Sequence, residues 1–135
     1  MKIIIPGKPI AKKRPRFARR GKFTTTYSDQ ETEEGKVLWE IRQQVKGKPL
    51  EGAVKVHMIF DMYIPKSTSL KRKKLMLENR IMHIKRPDID NLTKWIYDIF
   101  NGVVWRDDSL VIEEHAIKKY SENPKTTVIV EVING

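Results

Sequence analysis

Residues 86–100 read RPDIDNLTKWIYDIF. Pro87 fixes its own backbone and biases Arg86 toward extended geometry, so a helix is expected to begin after it, with Asp90 as the natural N-cap. Counting about 100° per residue from Asp90, the polar residues Asn91, Lys94, Asp98 and Asn101 all fall within about 100° of it. Trp95, Ile99, Leu92, Ile96 and Phe100 fall between about 140° and about 280°, a continuous apolar face suited to packing on a sheet. If residues 88–90 are extended, Asp88 and Asp90 point the same way at the mouth of the helix. Two like charges there repel unless a cation sits between them.

Strands are expected on both sides of this helix. Val54, Val56, Met58, Phe60 and Met62 alternate with mostly polar partners, which predicts a strand over residues 53–63 with one buried face. Two further strands are expected at residues 110–120 and 126–133, joined by a turn through Glu122, Asn123, Pro124 and Lys125. Residues 2–5 form a short strand ended by Pro6 and Gly7. Residues 8–27 alternate basic residues with turn formers and are expected to form an exposed arm or hairpin. Ser28 or Asp29 caps a helix running to about Lys46, with Val37, Leu38, Ile41 and Val45 facing the core and Gly47 just beyond its end. Ser69 caps a short, very basic helix through Leu70, Leu75 and Leu77.

Strands thus bracket two or three helices without strict alternation, which predicts an α+β fold around a mixed sheet of four or five strands. The 135 residues, 39% hydrophobic, suit one small domain spanning 1–135. The core is thin at this size, and a dimer interface can cover what one copy leaves exposed.

With 27 Lys and Arg against 17 Asp and Glu, the net charge of +10 favours a polyanionic partner. There is no cysteine, which excludes a disulfide framework, a thiolate metal site and a cysteine nucleophile together and fits a reducing cytoplasm. The apolar run Ile3 to Ile5, followed by positive charge, is the wrong order and length for a signal peptide, and no stretch approaches the roughly 20 apolar residues that span a bilayer. No membrane association is expected.

A second acidic pair, Asp107 and Asp108, precedes the strand at residue 110 and sits at a turn from which a return toward Asp88 and Asp90 is geometrically easy. Hard cations such as Mg²⁺ take few carboxylate oxygens and complete their shell with water and phosphate, and Asp88, Asp90 and Asp108 suit that role. The chemistry this set suits is phosphodiester hydrolysis, with Lys94, one turn from Asp90, placed to orient the water or to stabilise the transition state. A plain reading stands beside it: Asp90 as an ordinary cap, Asp107 and Asp108 as turn residues, Lys94 paired with Asp98.

Lys12, Lys13, Arg14, Arg16, Arg19, Arg20 and Lys22, interleaved with Phe17 and Phe23, suit phosphate contacts with ring stacking on exposed bases. Lys71, Arg72, Lys73 and Lys74 form either a second phosphate contact or a solvated helix face. His57, His83 and His115 lack ligand spacing and read as structural. No glycine pattern matches a phosphate loop, and no serine stands in a known nucleophile arrangement.

The ordered set Asp88-Ile89-Asp90-Asn91-Leu92-Thr93-Lys94, then Asp98, Gly102, Trp105 and Asp107-Asp108, resembles the signature of the RusA family of Holliday-junction resolvases. The likeness extends to KRPRF at residues 13–17 and to Gly21 and Tyr27, and so covers most of the chain. It implies a catalytic set of Asp88, Asp90, Lys94 and Asp108, a metal site of Asp88, Asp90 and Asp108 with Asp107 adjacent, and Mg²⁺ as cofactor with Mn²⁺ as a substitute. It further implies a homodimer acting on four-way DNA in recombination and repair, in the cytoplasm of a bacterium or a phage-infected cell. Each protomer would nick one of two like-polarity strands, matching the two-fold symmetry of the junction. Two other readings stand: a non-catalytic basic nucleic-acid-binding accessory protein, and a nuclease for another branched DNA or a structured RNA.

Overall fold

The computed structural model describes residues 1–13, 16–20, 23–27 and 31–133, with 16–20 and 23–27 described by their backbone. In chain order it runs β1 (Lys2–Pro6), β2 (Arg16–Arg20), β3 (Phe23–Tyr27), α1 (Glu31–Gln44), β4 (Val54–Met62), α2 (Leu70–Leu77), α3 (Ile89–Phe100), β5 (Val111–Tyr120) and β6 (Lys125–Val132). This is the expected α+β fold, with three helices and a mixed sheet of four strands in the order β1-β6-β4-β5. The predicted hairpin is present as a separate antiparallel pair, β2 with β3, in a register that sets Arg16 opposite Tyr27 and Arg20 opposite Phe23.

The expected turn joins β5 to β6, but the two strands are not neighbours: β6 lies on the far side of β4, antiparallel to it, while β5 runs parallel to β4. The backbone N–H of Ser121 donates to the Met62 carbonyl at 2.9 Å, so the connection crosses over the end of β4. A short link between strands reads locally as a hairpin. The parallel pairing instead depends on the long crossover through α2 and α3, which brings an apolar strand between its neighbours.

The alternation of β4 puts Val54, Val56, Met58, Phe60 and Met62 on one face of the sheet, all buried. Ile3 and Ile5 of β1 and Val128 and Val130 of β6 join them, covered by Val37 and Ile41 of α1 and by Leu92, Trp95, Ile96, Ile99 and Phe100 of α3. The apolar faces expected on both helices are therefore the core faces, with Leu38 and Val45 packed at its edge. Ser28 and Asp29 lie outside the described residues, so the cap of α1 does too; Gly47 beyond its end has φ +90. Ser69 caps α2, its hydroxyl accepting the Arg72 N–H at 3.3 Å.

The outer edge of β1 is closed by a side chain. The Gln44 amide accepts the Ile4 N–H at 2.8 Å and donates to the Ile4 carbonyl at 2.7 Å, repeating the pairing a further strand would make. Among the described residues no helix is long and apolar enough to cross a membrane.

Candidate active site

The chain reaches α3 through Pro87, and the N-cap is Asp88, in extended conformation at φ −70 and ψ 147. This corrects the assignment of Asp90 as cap. The helix begins one residue after Asp88, so Asp90 lies in its first turn and residues 88–90 are not one extended run. A carboxylate in the first turn still complements the partial positive charge of the helix start. The Asp88 side chain makes no capping hydrogen bond, which leaves its carboxylate uncommitted.

The second acidic pair is delivered by a tightly specified turn. Gly102 at φ +79 reverses the chain after α3, in a region that side chains disfavour, and its N–H donates to the Trp105 carbonyl at 2.7 Å. Trp105 is fully buried and its indole N–H donates to Asn101 Oδ1 at 2.7 Å. Arg106 N–H donates to the Leu50 carbonyl at 2.8 Å, and a single 3₁₀ turn, Asp108–Leu110, follows. Asp107 caps that turn by accepting the Ser109 N–H at 3.0 Å, and hydrogen bonds from Ser109 hold its carboxyl below the usual range. Asp107 is thereby occupied, whereas Asp108 is half-buried and lines a hollow of about 370 Å³ with Tyr97, Val111 and Glu114.

Tyr97 and Glu114 were not foreseen. Burial first, then the charges of Glu114 and Asp108, push the Tyr97 phenol above its ordinary pKa, so it stays a protonated O–H. Both had a signal in the sequence. Tyr97 falls about 20° from Asp90 in helical projection, outside the apolar sector, so it belongs to the stripe of Asp90, Lys94 and Asn101. Glu114 shares the strand parity of Ala116 and Tyr120, which marks an acid on the helix-covered side of β5.

Lys94 is exposed on that stripe. The expected alternative partner, Asp98, is held instead by Lys12 at 3.0 Å, and the Lys12 N–H donates to the Asn91 carbonyl at 2.9 Å. The root of the basic arm is thus fastened along α3, and Lys12 is engaged by protein. Lys13 is exposed. Arg14 and Lys22 lie outside the described residues, as do the side chains of Arg16, Phe17, Arg19, Arg20 and Phe23. On α2, Lys71, Arg72 and Lys74 are exposed while Lys73 pairs with Glu122 at 3.0 Å. His83 packs on Tyr120 at 4.9 Å between ring centres, whereas His57 and His115 are exposed and stack on each other at 5.9 Å.

One further contact positions the acidic entrance. Lys118 on β5 donates to the carbonyls of Lys85 at 2.8 Å and Pro87 at 3.1 Å, so its ammonium clamps the loop whose next residue is Asp88. Among the described residues, Asp88, Asp90 and Asp108 enter no salt bridge, while Asp61 and Asp98 do. No three described His, Asp or Glu side chains converge closely enough to enclose a metal ion. Asp88 and Asp90 are exposed at the start of α3 and Asp108 is half-exposed at the 3₁₀ turn, and these acids are not gathered into one cluster.

The family model described as Endodeoxyribonuclease RusA matches residues 6–131. The uncharacterized protein YqaN of Bacillus subtilis (strain 168) is 28% identical over 139 residues, covering all of this chain and 98% of YqaN. The crossover junction endodeoxyribonuclease RusA of Aquifex aeolicus (strain VF5) is 30% identical over 101 residues, covering 73% of this chain and 64% of that protein. With nearly the whole chain matched, including α3 and the turn that carries Asp108, this protein belongs to the RusA endodeoxyribonuclease family.

Proposed function

We propose that this chain is a divalent-metal-dependent endonuclease that resolves four-way DNA junctions as a homodimer, each copy nicking one of two strands of like polarity. The observation that carries this reading is the set of acids at the start of α3 and at the 3₁₀ turn that, among the described residues, no cation pairs in a salt bridge, in a chain of net charge +10. A plain capping role would have the Asp88 carboxylate accept a backbone N–H of the helix it caps, and it does not. The name of the Aquifex relative supports the junction as substrate.

Asp88, Asp90 and Asp108 would hold the cation, with Asp107 beside them as cap of the turn. When bound, Mg²⁺ or Mn²⁺ supplies an acidic water and a Lewis acid for the leaving oxygen. Lys94 presents its ammonium to the phosphate as charge develops there. Tyr97, kept protonated, offers a hydroxyl donor beside Asp108. Lys118 holds the loop that sets Asp88. The hairpin arm and the exposed cations of α2 bind phosphates and offset the repulsion that an acidic centre exerts on DNA.

Labelled four-way, three-way and linear DNA, incubated with and without Mg²⁺, tests the proposal. Metal-dependent cutting of the four-way junction in paired positions supports it. Binding without cutting in either Mg²⁺ or Mn²⁺ favours a non-catalytic binder, and equal cutting of all branched forms favours a broader nuclease.

A further inference from the structure

The loop that delivers Asp88 carries two large aliphatic side chains in water: Ile84 is 89% exposed and Met82 62%. The segment that holds them is fixed at both ends. Behind it, the chain leaves α2 through Asn79, whose φ of +59 turns it back. The N–H groups of Arg80 and Ile81 then both donate to the Leu75 carbonyl, at 2.8 and 3.2 Å. Ahead of it, Lys118 grips the carbonyls of Lys85 and Pro87. Between these anchors His83 turns inward and packs on Tyr120, while its neighbours Met82 and Ile84 face out. The backbone is thus shaped to hold two aliphatic side chains in water, which stability alone disfavours.

The same segment forms one wall of a hollow of about 490 Å³ against α2. Met76, Ile81 and Tyr120 make its inner surface, and Met76 and Tyr120 are themselves buried. Arg72 lies one helical turn before Met76, on the same face of α2, and with Arg80 and Lys85 it rims the hollow. Among the described residues none of these three cations enters a salt bridge, and no acid lines the hollow.

An apolar floor under an unpaired cationic rim selects a ligand that is anionic at its edge and apolar at its centre. A bare anion leaves Met82 and Ile84 in water, and a purely apolar group leaves the cations unpaired. A nucleotide satisfies both, its phosphates on the rim and the face of its base on the floor. The volume lies in the range of small-molecule sites, enough for one nucleotide.

An acidic peptide offers similar chemistry, and position decides between the two. Asp88 follows Lys85 by three residues, so at most about 11 Å separates their Cα atoms, roughly three base steps of a duplex. A strand lying at the acidic centre therefore passes the hollow. Bases within continuous duplex are stacked and paired, out of its reach, whereas those at a branch point unstack at lower cost.

We propose that the hollow between α2 and the loop of Met82 and Ile84 takes one unstacked base of the DNA strand beside the cut, with the adjoining phosphates on Arg72, Arg80 and Lys85. This deepens the nuclease reading above and rests on it for the identity of the strand. It adds the opened branch to backbone charge among the things the chain recognises, since phosphate contacts alone do not distinguish a junction from a linear duplex.

Four-way junctions carrying 2-aminopurine at successive positions around the branch, mixed with the full chain in EDTA, test it. At one position the fluorescence should rise about three-fold or more on binding, because the base leaves its stack, and Met82→Ser/Ile84→Ser should abolish the rise. In Mg²⁺ the double variant should cut the junction about 10-fold more slowly, while its affinity for linear duplex changes by less than about two-fold. Ile84→Leu, which keeps the apolar contact, should behave as wild type. A junction with an abasic sugar at the responsive position needs no protein variant. The wild type should lose about 10-fold in rate on it, and the double variant should lose nothing further there.

Unchanged fluorescence at every position overturns the proposal, as does wild-type cutting by a folded double variant or undiminished cutting of the abasic junction. A labelled peptide of alternating Asp and Leu that binds the wild type and not the double variant, with the fluorescence unmoved, gives the hollow to an acidic protein partner and overturns it too. A fluorescence rise without cutting in any metal sinks the nuclease reading and leaves the base site standing. Cutting without a rise does the reverse.

Discussion

Replacing Lys118 with Met keeps the aliphatic stem and removes the ammonium that clamps the loop entering α3. Two bonds are lost, to the carbonyls of Lys85 and Pro87 at 2.8 and 3.1 Å. Hydrogen bonds to a charged group contribute about 1.5–3 kcal/mol each, and partial solvation lowers the sum for this pair to roughly 2 kcal/mol. If that energy seats Asp88, its loss lowers the cleavage rate by up to about 30-fold. Single-turnover cutting with protein in excess should therefore slow by about 10-fold while junction affinity changes by less than about two-fold, the pattern expected when binding is unaffected. A second readout follows from the same charge. Burial first, and then Lys118, hold the His83 pKa below its ordinary value, so Lys118→Met should move it upward in an NMR titration. Lys118→Arg, which retains the charge, should restore part of the rate. Wild-type cutting by Lys118→Met, measured well below its melting temperature with the His83 shift present, refutes the clamp as a positioning device.

Asp88→Asn, Asp90→Asn and Asp108→Asn should each abolish cutting and leave junction binding intact or tighter in gel shifts, whereas Asp107→Asn, which weakens only a turn cap, should lower the melting temperature slightly. Lys94→Ala should slow single-turnover cutting by about 100-fold without recovery at higher Mg²⁺, and Asp98→Ala, which frees Lys12, should leave the rate near normal. Neutralising Arg14, Arg16, Arg19 and Arg20 should weaken binding and flatten its salt dependence by roughly one unit of log-log slope per lost phosphate contact. His83 titrates lower when folded than unfolded, so stability should be level above the unfolded value of about 6.5 and fall as acid protonates the unfolded chain first; melts of wild type and His83→Gln should diverge in that window.

What the sequence made legible was whatever has a local period. The apolar stripe of α3 and the alternation of β4 each depend on neighbours a few residues away, and both core faces came out as read. The boundary of α3 shifted because Pro87 permits the helix to start at either aspartate, and only the folded chain distinguishes Asp88 from Asp90 as cap. The order of β4, β5 and β6 was not legible, since a parallel pairing across residues 63–110 leaves no short-range trace. The acids of the site were named because their spacing is distinctive. Tyr97 was passed over although it falls on the polar stripe of α3, and Lys118 as one charge in a strand, because their partners lie elsewhere in the chain.

The Gln44 amide at the rim of β1 bears on how this protein avoids the fate of exposed sheets. An open strand offers an unsatisfied N–H and carbonyl to any passing chain, and contacts of that kind repeat without closing, ending in fibres rather than pairs. By occupying both groups of Ile4, one glutamine withdraws that invitation. It does so as a side chain, which fills a single rung and has no further rung to offer. On the β1 side, growth by strand addition is interrupted at Ile4.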